Sequence, residues 1–353
     1  MSIKIINGGL LTTVQDEGRY GLQASGMQVS GAMDMPAAAL ANLLVGNDEL
    51  ADTAAVLETT YLGPELEFQA DGLAAVTGGI PDVRLDGQCV QPYRTLAVKK
   101  GQHLKIGAQS CGMRAYIAVA GGFAVPKVLG SRATNLKLGI GGWQGRKLTA
   151  GDILPVGELP GYAEDVLAGK KRLRQAEAPG CAPEAREIRA VLGPQEDYFT
   201  QEEITAFCRE TYTVSHESDR MGYRLQGRPV QKAKQQDLIT DGIVFGSIQI
   251  PPNGQPIIML ADHQTTGGYP KLATVAGVDL PELAQAMPGT KLRFKMITVQ
   301  EAQELLRRRH RKQLAELAGV KAGGEMPLYS SKARRYNLKI SGEIFEVVVD
   351  PVD

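Results

Sequence analysis

Short apolar runs, separated at close intervals by Gly, Pro, Asp or Asn, recur along almost the whole chain. Such a run is too short for a helix of several turns but fits a strand, and a glycine between runs supplies the positive φ that tight turns demand. The 41 glycines are spread between the runs and do not collect in one low-complexity tract. A mainly β chain is therefore predicted.

From Ile3 to Val14 the residues alternate around a Gly8-Gly9 break, which reads as a hairpin. Further strands are predicted at Glu65–Gln69, Ala74–Thr77, Val83–Leu85, Thr95–Val98, His103–Ile106 and Arg114–Val119. One helix interrupts them: Asp34 can cap it, Pro36 fits its first turn, and Ala37–Val45 supplies helix formers before Gly46-Asn47. Residues 1–160 are read as one β-barrel domain, and the charged, Pro- and Gly-containing stretch 161–186 as a linker.

The second half repeats this layout over residues 187–298. Strands are predicted at Glu187–Leu192, Tyr212–Ser215, Ile243–Ile250, Ile257–Ala261 and Lys291–Ile297, with a short helix after the capping-box spacing Thr200–Glu203. Two similar barrels or sandwiches are the economical architecture. A second capping box, Thr298 with Glu301, opens a helix at 299–320 that carries the basic run Arg307–Lys312. Residues 321–353 then read as a linker and a hairpin turning at Ser341-Gly342.

A chain of 353 residues can bury a sizeable core without staples and favours two domains. Lys plus Arg and Asp plus Glu each total 39, so net charge gives no general reason to expect nucleic acid or an anionic membrane as partner. The cysteines Cys89, Cys111, Cys181 and Cys208 form no C-x-x-C pair, which favours reduced thiols. No basic stretch leads an apolar segment at the N-terminus, and no apolar run is long enough to span a bilayer. A soluble, cytoplasmic protein is the expectation.

No metal site is expected, because His103, His216, His263 and His310 are not spaced as ligands. Gly267–Lys271 lacks the full phosphate-loop pattern, and there is no G-x-S-x-G elbow. Four polar, glycine-bearing constellations remain. The first, Gln15–Gly21 with Ser25–Met27 and Ser30–Asp34, is either a turn and helix cap or part of a site. The second, Ser215–Arg224, holds Asp219 and Arg220 and is either a solvated loop or a polar ligand contact. In the third, Asp241–Pro252, strand alternation puts Ser247 and Gln249 on one face with Phe245, and Val244, Ile248 and Ile250 on the other. The fourth runs Asp262, His263, Gln264, Thr265, Thr266, Gly267, Gly268, Tyr269, Pro270, Lys271. Its donors, acceptors and glycines suit a small polar molecule, with Lys271 stabilising charge on an oxygen and Asp262 and His263 as acid or base. A glycine-rich hairpin with a surface lysine is the plain alternative.

Leu10–Gly21, Ser30–Asp34, Val76–Gly79, Gly130–Asn135, Ser218–Gly227, Gly246–Ile257 and Ala261–Val275 stand in an order that resembles one family. It is the family of the C component of 5-oxoprolinase, also known as KipA-like or allophanate hydrolase subunit 2, and the resemblance covers about residues 3–306. It implies two cyclophilin-like β-barrel domains and a smaller KipI-like partner, the B component of 5-oxoprolinase. It also implies an ATP-dependent amide-activating complex that converts 5-oxoproline to glutamate with a third, hydrolytic protein. The alternative within the resemblance is a carboxyltransferase half of a biotin-dependent urea or amide carboxylase, with biotin on a separate carrier. Gln249 then stands where the carboxylase half is expected to carry a biotin-reading asparagine. A regulatory KipI-binding protein is a further reading. Arg335–Asp350 is similar to the opening strands of biotin carrier domains and ends before a biotinylation hairpin, so a truncated carrier or a docking segment is expected there.

Overall fold

The structure, a computed structural model, describes residues 1–181, 185–234, 238–322, 325–326, 334–340 and 343–349, with side chains up to residue 320. The first half runs β1 (Ser2–Asn7), β2 (Leu11–Gln15), α1 (Met35–Leu44), β3 (Val56–Thr60), β4 (Glu65–Phe68), β5 (Gly72–Leu85), β6 (Gln88–Cys89), β7 (Thr95–Val98), β8 (His103–Val119) and β9 (Ile153–Pro155). These strands form one nine-stranded sheet in the order β2-β3-β8-β4-β1-β9, with β5 against β8 and carrying β6 and β7.

The opening of β5 and the end of β8 are apolar on both faces because both faces are covered there. Ala74 and Val76 join Ile117 and Val119 in a core with Ile3, Ile5, Leu57 and Phe68. The intervening Leu73, Ala75, Tyr116 and Ala118 pack under Ala38, Ala41 and Leu44 of α1. Each large side chain so buried contributes about 1.5–3 kcal/mol. Helix α1 starts where the sequence predicts, since Asp34 Oδ1 accepts the Ala37 amide at 3.1 Å.

The first half thus departs from the expected barrel: its pairing path ends at β2 and β9 without closing, as a curled half-barrel. Strands β5 and β8 are also longer than the sequence suggests. The sequence breaks each into two strands, but β5 runs on through Gly78-Gly79 and Pro81, bending by register shifts between Gly78 and Val83. The opening of β8 pairs with β4 and its end with β3.

The stretch read as a linker carries α2 (Gly161–Leu167) and β10 (Leu173–Arg174). Tyr162, Ala163 and Val166 are buried, and the Arg174 guanidinium lies 3.8 Å from the centroid of the Tyr162 ring. One helix of two turns is too short to show a periodicity.

The second half comprises β11 (Ala185–Leu192), α3 (Gln201–Arg209), β12 (Tyr212–Val214), β13 (Gly222–Gln226), β14 (Asp241–Gly242), β15 (Ser247–Gln249), β16 (Ile257–Met259), β17 (Thr266–Gly267), β18 (Lys271–Val275), α4 (Leu280–Ala284) and β19 (Lys291–Met296). Seven strands close a barrel, β11-β18-β15-β16-β13-β12-β19, sealed by parallel pairing of β19 with β11. Its interior is filled by Ile188, Leu225, Ile248, Ile258, Leu272 and Leu292, and Phe207 of α3 stacks on Phe294 at 4.6 Å. Strands β14 and β17 form a separate two-stranded ribbon.

Helix α5 (Val299–Ala322) begins at the predicted capping box, where the Thr298 amide donates to Glu301 and the Glu301 amide to Thr298. Its Leu317 and Val320 pack with the α1 core. Beyond it β20 (Glu325–Met326) pairs with β10, and β21 (Arg334–Ile340) pairs antiparallel with β22 (Glu343–Val349). The expected Ser341-Gly342 turn lies outside the described residues. Among the described residues no helix is long and apolar enough to cross a membrane.

Candidate functional site

One row of side chains crosses four neighbouring barrel strands: Arg224 on β13 faces Ile257 on β16, which faces Gln249 on β15, which faces Lys271 on β18. Directly opposed residues share a face. The adjoining Leu225, Ile258 and Ile248 all point into the barrel core, so the row points outward. Lys271 joins it through a register shift: Ile248 pairs with Ala273, but the next residue, Gln249, pairs with Lys271. Leu272 and Ala273 therefore both face the core, and Lys271 emerges on the outer side.

The outer face borders a cavity of ≈ 680 Å³ whose wall includes Gln249, Ile257 and Arg224. Gln264 and Tyr269 line it from the β17 loop, Glu217 and Asp219 from the turn before β13, and Lys137 from the first half. Gln249 is 1% exposed, and among the described residues its Nε2 has no hydrogen-bond partner. An orphaned buried amide costs about 1–3 kcal/mol, so a donor left unpaired on a cavity wall marks a ligand contact. Gly267 of β17 covers it: a Cβ there would stand 3.0 Å from Gln249 Nε2 and 2.7 Å from Ile243 Cδ1.

Lys271 is buried beside this wall. Its Nζ donates to Asp241 Oδ2 at 2.8 Å, and Gln195 Nε2 donates to the same oxygen at 3.1 Å. Gln195 Oε1 in turn accepts the Lys271 backbone amide at 3.2 Å. The Asp241 side chain is 51% exposed, against 3% for Lys271. The Lys271 ammonium first, then the Gly242 amide and Gln195, hold the Asp241 carboxyl below its ordinary value. Lys271 is thus a fixed cation behind a half-exposed carboxylate and not the surface lysine of a plain hairpin.

Asp262 and Arg220 lie elsewhere. Arg220 Nε donates to Asp262 Oδ2 at 2.9 Å, its Nη2 to the Gly31 carbonyl at 2.6 Å, and its Nη1 to Glu58. Glu58 also accepts from the Met33 amide and from Tyr116 Oη. Arg114 adds a second guanidinium, with Nη1 donating to Tyr223 Oη at 2.7 Å. Burial works against the Arg220 charge, but Asp262 and Glu58 outweigh it and raise its pKa above the ordinary value. These groups tie the first sheet to the barrel, and both Asp262 oxygens accept from the Arg220 guanidinium. A smaller cavity of ≈ 180 Å³, lined by Arg114, Arg220 and Asp262, abuts the network.

The remaining residues separate in the same way. His263 is buried, with Nδ1 2.6 Å from the Gln264 carbonyl. Ser247 is buried and its Oγ accepts the Val244 amide at 3.2 Å, away from the cavity wall. Val244 is 58% exposed and not in the core, because the strand begins only after Gly246, whose φ of 91° breaks the expected alternation. Thr266 and Gly267 form the ribbon with β14, flanked by Gly268 and by Thr265, whose carbonyl accepts the Ile243 amide. Asp219 Oδ1 caps its own turn through the Met221 and Gly222 amides. Sequence reasoning missed Arg224, Lys137, Asp241 and Gln195. Arg224 and Asp241 lay within constellations already singled out, where nothing local set them apart from their neighbours.

Comparison with known proteins agrees with this architecture. The carboxyltransferase domain, subdomain A and B, matches residues 25–296. The C component of 5-oxoprolinase from Escherichia coli (strain K12) is 42% identical over 300 residues, covering 85% of this chain and 93% of that protein. That of Haemophilus influenzae is 38% identical over 306 residues, covering 87% and 94%. The crystal structure of the K. lactis urea amidolyase superposes with a TM-score of 0.80 at 28% identity over 93% of this chain. The chain spans only 20% of that larger protein.

Proposed function

This chain belongs to the carboxyltransferase-domain family, in the branch of the 5-oxoprolinase C components, and on that premise we propose that it holds the lactam in an ATP-dependent 5-oxoprolinase. In this reading it acts with the KipI-like B component, a third, hydrolytic protein completes conversion to glutamate, and the assembly works in the cytoplasm. The observation that carries the proposal is the buried, unpartnered Gln249 amide on the cavity wall. A ring carbonyl accepting that N–H would gain a donor aimed at the oxygen on which charge develops when the amide is activated. Lys271, opposite Gln249 in the ladder, adds a buried cation on the same side of the sheet, its ammonium paired with Asp241.

ATP supplies the activation in the assembled complex. The cavity on this chain does not fit a triphosphate, because its charged lining is Lys137 and Arg224 against Glu217 and Asp219, a balanced set. Such a lining suits a small, weakly charged molecule. Nucleotide binding is therefore assigned to the complex and not to this cavity. The closed barrel of the second half supports the finer reading of a cyclophilin-like domain over residues 187–298, following a first domain over 1–160 and a junction at 161–186.

The test is ATP turnover by the chain assembled with its KipI-like partner, with and without 5-oxoproline. Stimulation by 5-oxoproline that Lys271→Ala abolishes supports the proposal. The superposition on the urea amidolyase favours one second reading, carboxyl transfer from biotin on a separate carrier to an amide nitrogen. Absence of stimulation, together with carboxyl transfer from a biotinylated carrier, would replace the first reading by the second.

A further inference from the structure

We infer that Arg224 selects a ligand carrying a free carboxylate: its guanidinium holds the carboxylate of a small lactam whose ring carbonyl meets Gln249. The inference rests on the lactam-binding reading and adds to it the feature by which the cavity tells one lactam from another.

Position is the first ground. Arg224 and Gln249 flank Ile257 in the cross-strand row, so one strand separates them. With neighbouring strands about 4.8 Å apart, their backbones lie about 10 Å apart. Side chains converging from those two places bracket a molecule of one small ring and one substituent, with apolar Ile257 beneath the ring.

Availability is the second. Arg220 is spent on Asp262, Glu58 and the Gly31 carbonyl, and Arg114 on Tyr223 and the Ala284 carbonyl. Arg224 lines the cavity, is exposed, and among the described residues its guanidinium has no hydrogen bond or ion pair. Its own main chain is fixed, the carbonyl accepting the Ser215 amide at 2.8 Å and the amide donating to Ser218 Oγ at 3.1 Å. A planar guanidinium on a fixed strand matches a carboxylate through two parallel N–H donors.

Charge is the third. Of the two carboxylates on the wall, Asp219 is turned into its own loop by the Met221 and Gly222 amides. Glu217, the other acid among the described residues of the lining, is exposed, and Lys137 lines the cavity from the other half of the chain. With the Asp219 oxygen engaged by its own loop amides, the balanced wall suits a ligand of single negative charge and not a triphosphate.

The experiment compares 5-oxoproline with 2-pyrrolidinone, the same ring without the carboxylate, in lactam-stimulated ATP turnover by the chain assembled with its KipI-like partner. Wild type should show the lower KM for 5-oxoproline. A charge-assisted hydrogen bond is worth about 1.5–3 kcal/mol, so Arg224→Gln should collapse the ratio of the two KM values by about 10- to 100-fold. The change should fall on KM and not on kcat, and Arg224→Lys should restore part of the ratio, since it keeps the charge and loses the fork. An unchanged ratio in Arg224→Gln, with wild type still responding to 5-oxoproline, overturns the inference and leaves the lactam reading standing. No response of wild type to either lactam overturns the lactam reading and the inference with it.

Discussion

Gln249 and Lys271 face each other across the β15–β18 ladder, and they share a side of the sheet only because β18 bulges at Leu272 and Ala273. Without that shift Lys271 would follow Ala273 into the barrel core, where a lone ammonium would be desolvated at large cost. The bulge sets a buried lysine and an unsatisfied amide on one side of the sheet, and the proposed site rests on that pair.

Gln249→Leu tests the amide directly. The substitution removes a buried polar group that has no partner, so unfolding free energy should stay unchanged or rise by about 1 kcal/mol. Affinity of the complex for 5-oxoproline should fall about 10-fold, through loss of one hydrogen bond to a carbonyl. Equal affinity by calorimetry would show that the amide touches no ligand.

Arg220→Met addresses the junction between the halves. It would leave Glu58 and Asp262 buried without their common partner, and breaking such a pair costs about 3–5 kcal/mol. Denaturant unfolding should show that loss. If Asp262 serves only to hold Arg220, Asp262→Asn should lower stability too, while turnover per folded molecule changes less than in Lys271→Ala. Full stability with abolished turnover in Asp262→Asn would make it a catalytic group.

His263 gives stability a pH dependence of known sign. Burial lowers its pKa below the ordinary 6.5, outweighing the opposing effects of the Gln264 carbonyl and Asp262. The folded chain therefore binds this proton less readily than the unfolded chain. The stability contributed is complete above the unfolded value and is lost as pH falls through 6.5 and on through the lower folded value. Urea unfolding of wild type and His263→Gln across this range should show a shallower loss in the variant, and parallel curves would refute it.

Gly267→Ala should separate affinity from folding. The new Cβ would meet Ile243 Cδ1 and Gln249 Nε2, both ends of flexible side chains, so the fold can yield. Stability should change by about 1 kcal/mol or less, while displacement of the Gln249 amide weakens 5-oxoproline binding. Wild-type affinity in this variant would detach Gly267 from the site.

Helices α1, α3 and α5 were legible because their caps are local: Asp34, Thr200 and Thr298 each accept the amide three residues on. Val56–Thr60, Gly222–Gln226 and Lys271–Val275 escaped reading as strands, since polar residues interrupt their apolar pattern. In the site, Gln249, Gln264, Tyr269 and Asp219 were recognisable as polar residues near glycines. Arg220 and Arg224 were not distinguishable, because one β-turn and one strand register send the first to Glu58 and the second to the cavity.

By itself the sequence determined the mainly β composition, the capped helices and the family, because alternation, turn chemistry and ordered motifs are carried by neighbours along the chain. Only the tertiary structure decided that the first half curls without closing while the second closes, and which polar residues are structural and which reach the cavity. Strand closure and ion pairing join residues far apart in sequence, as Glu58 joins Arg220, and a single bulge reverses the face on which Lys271 appears.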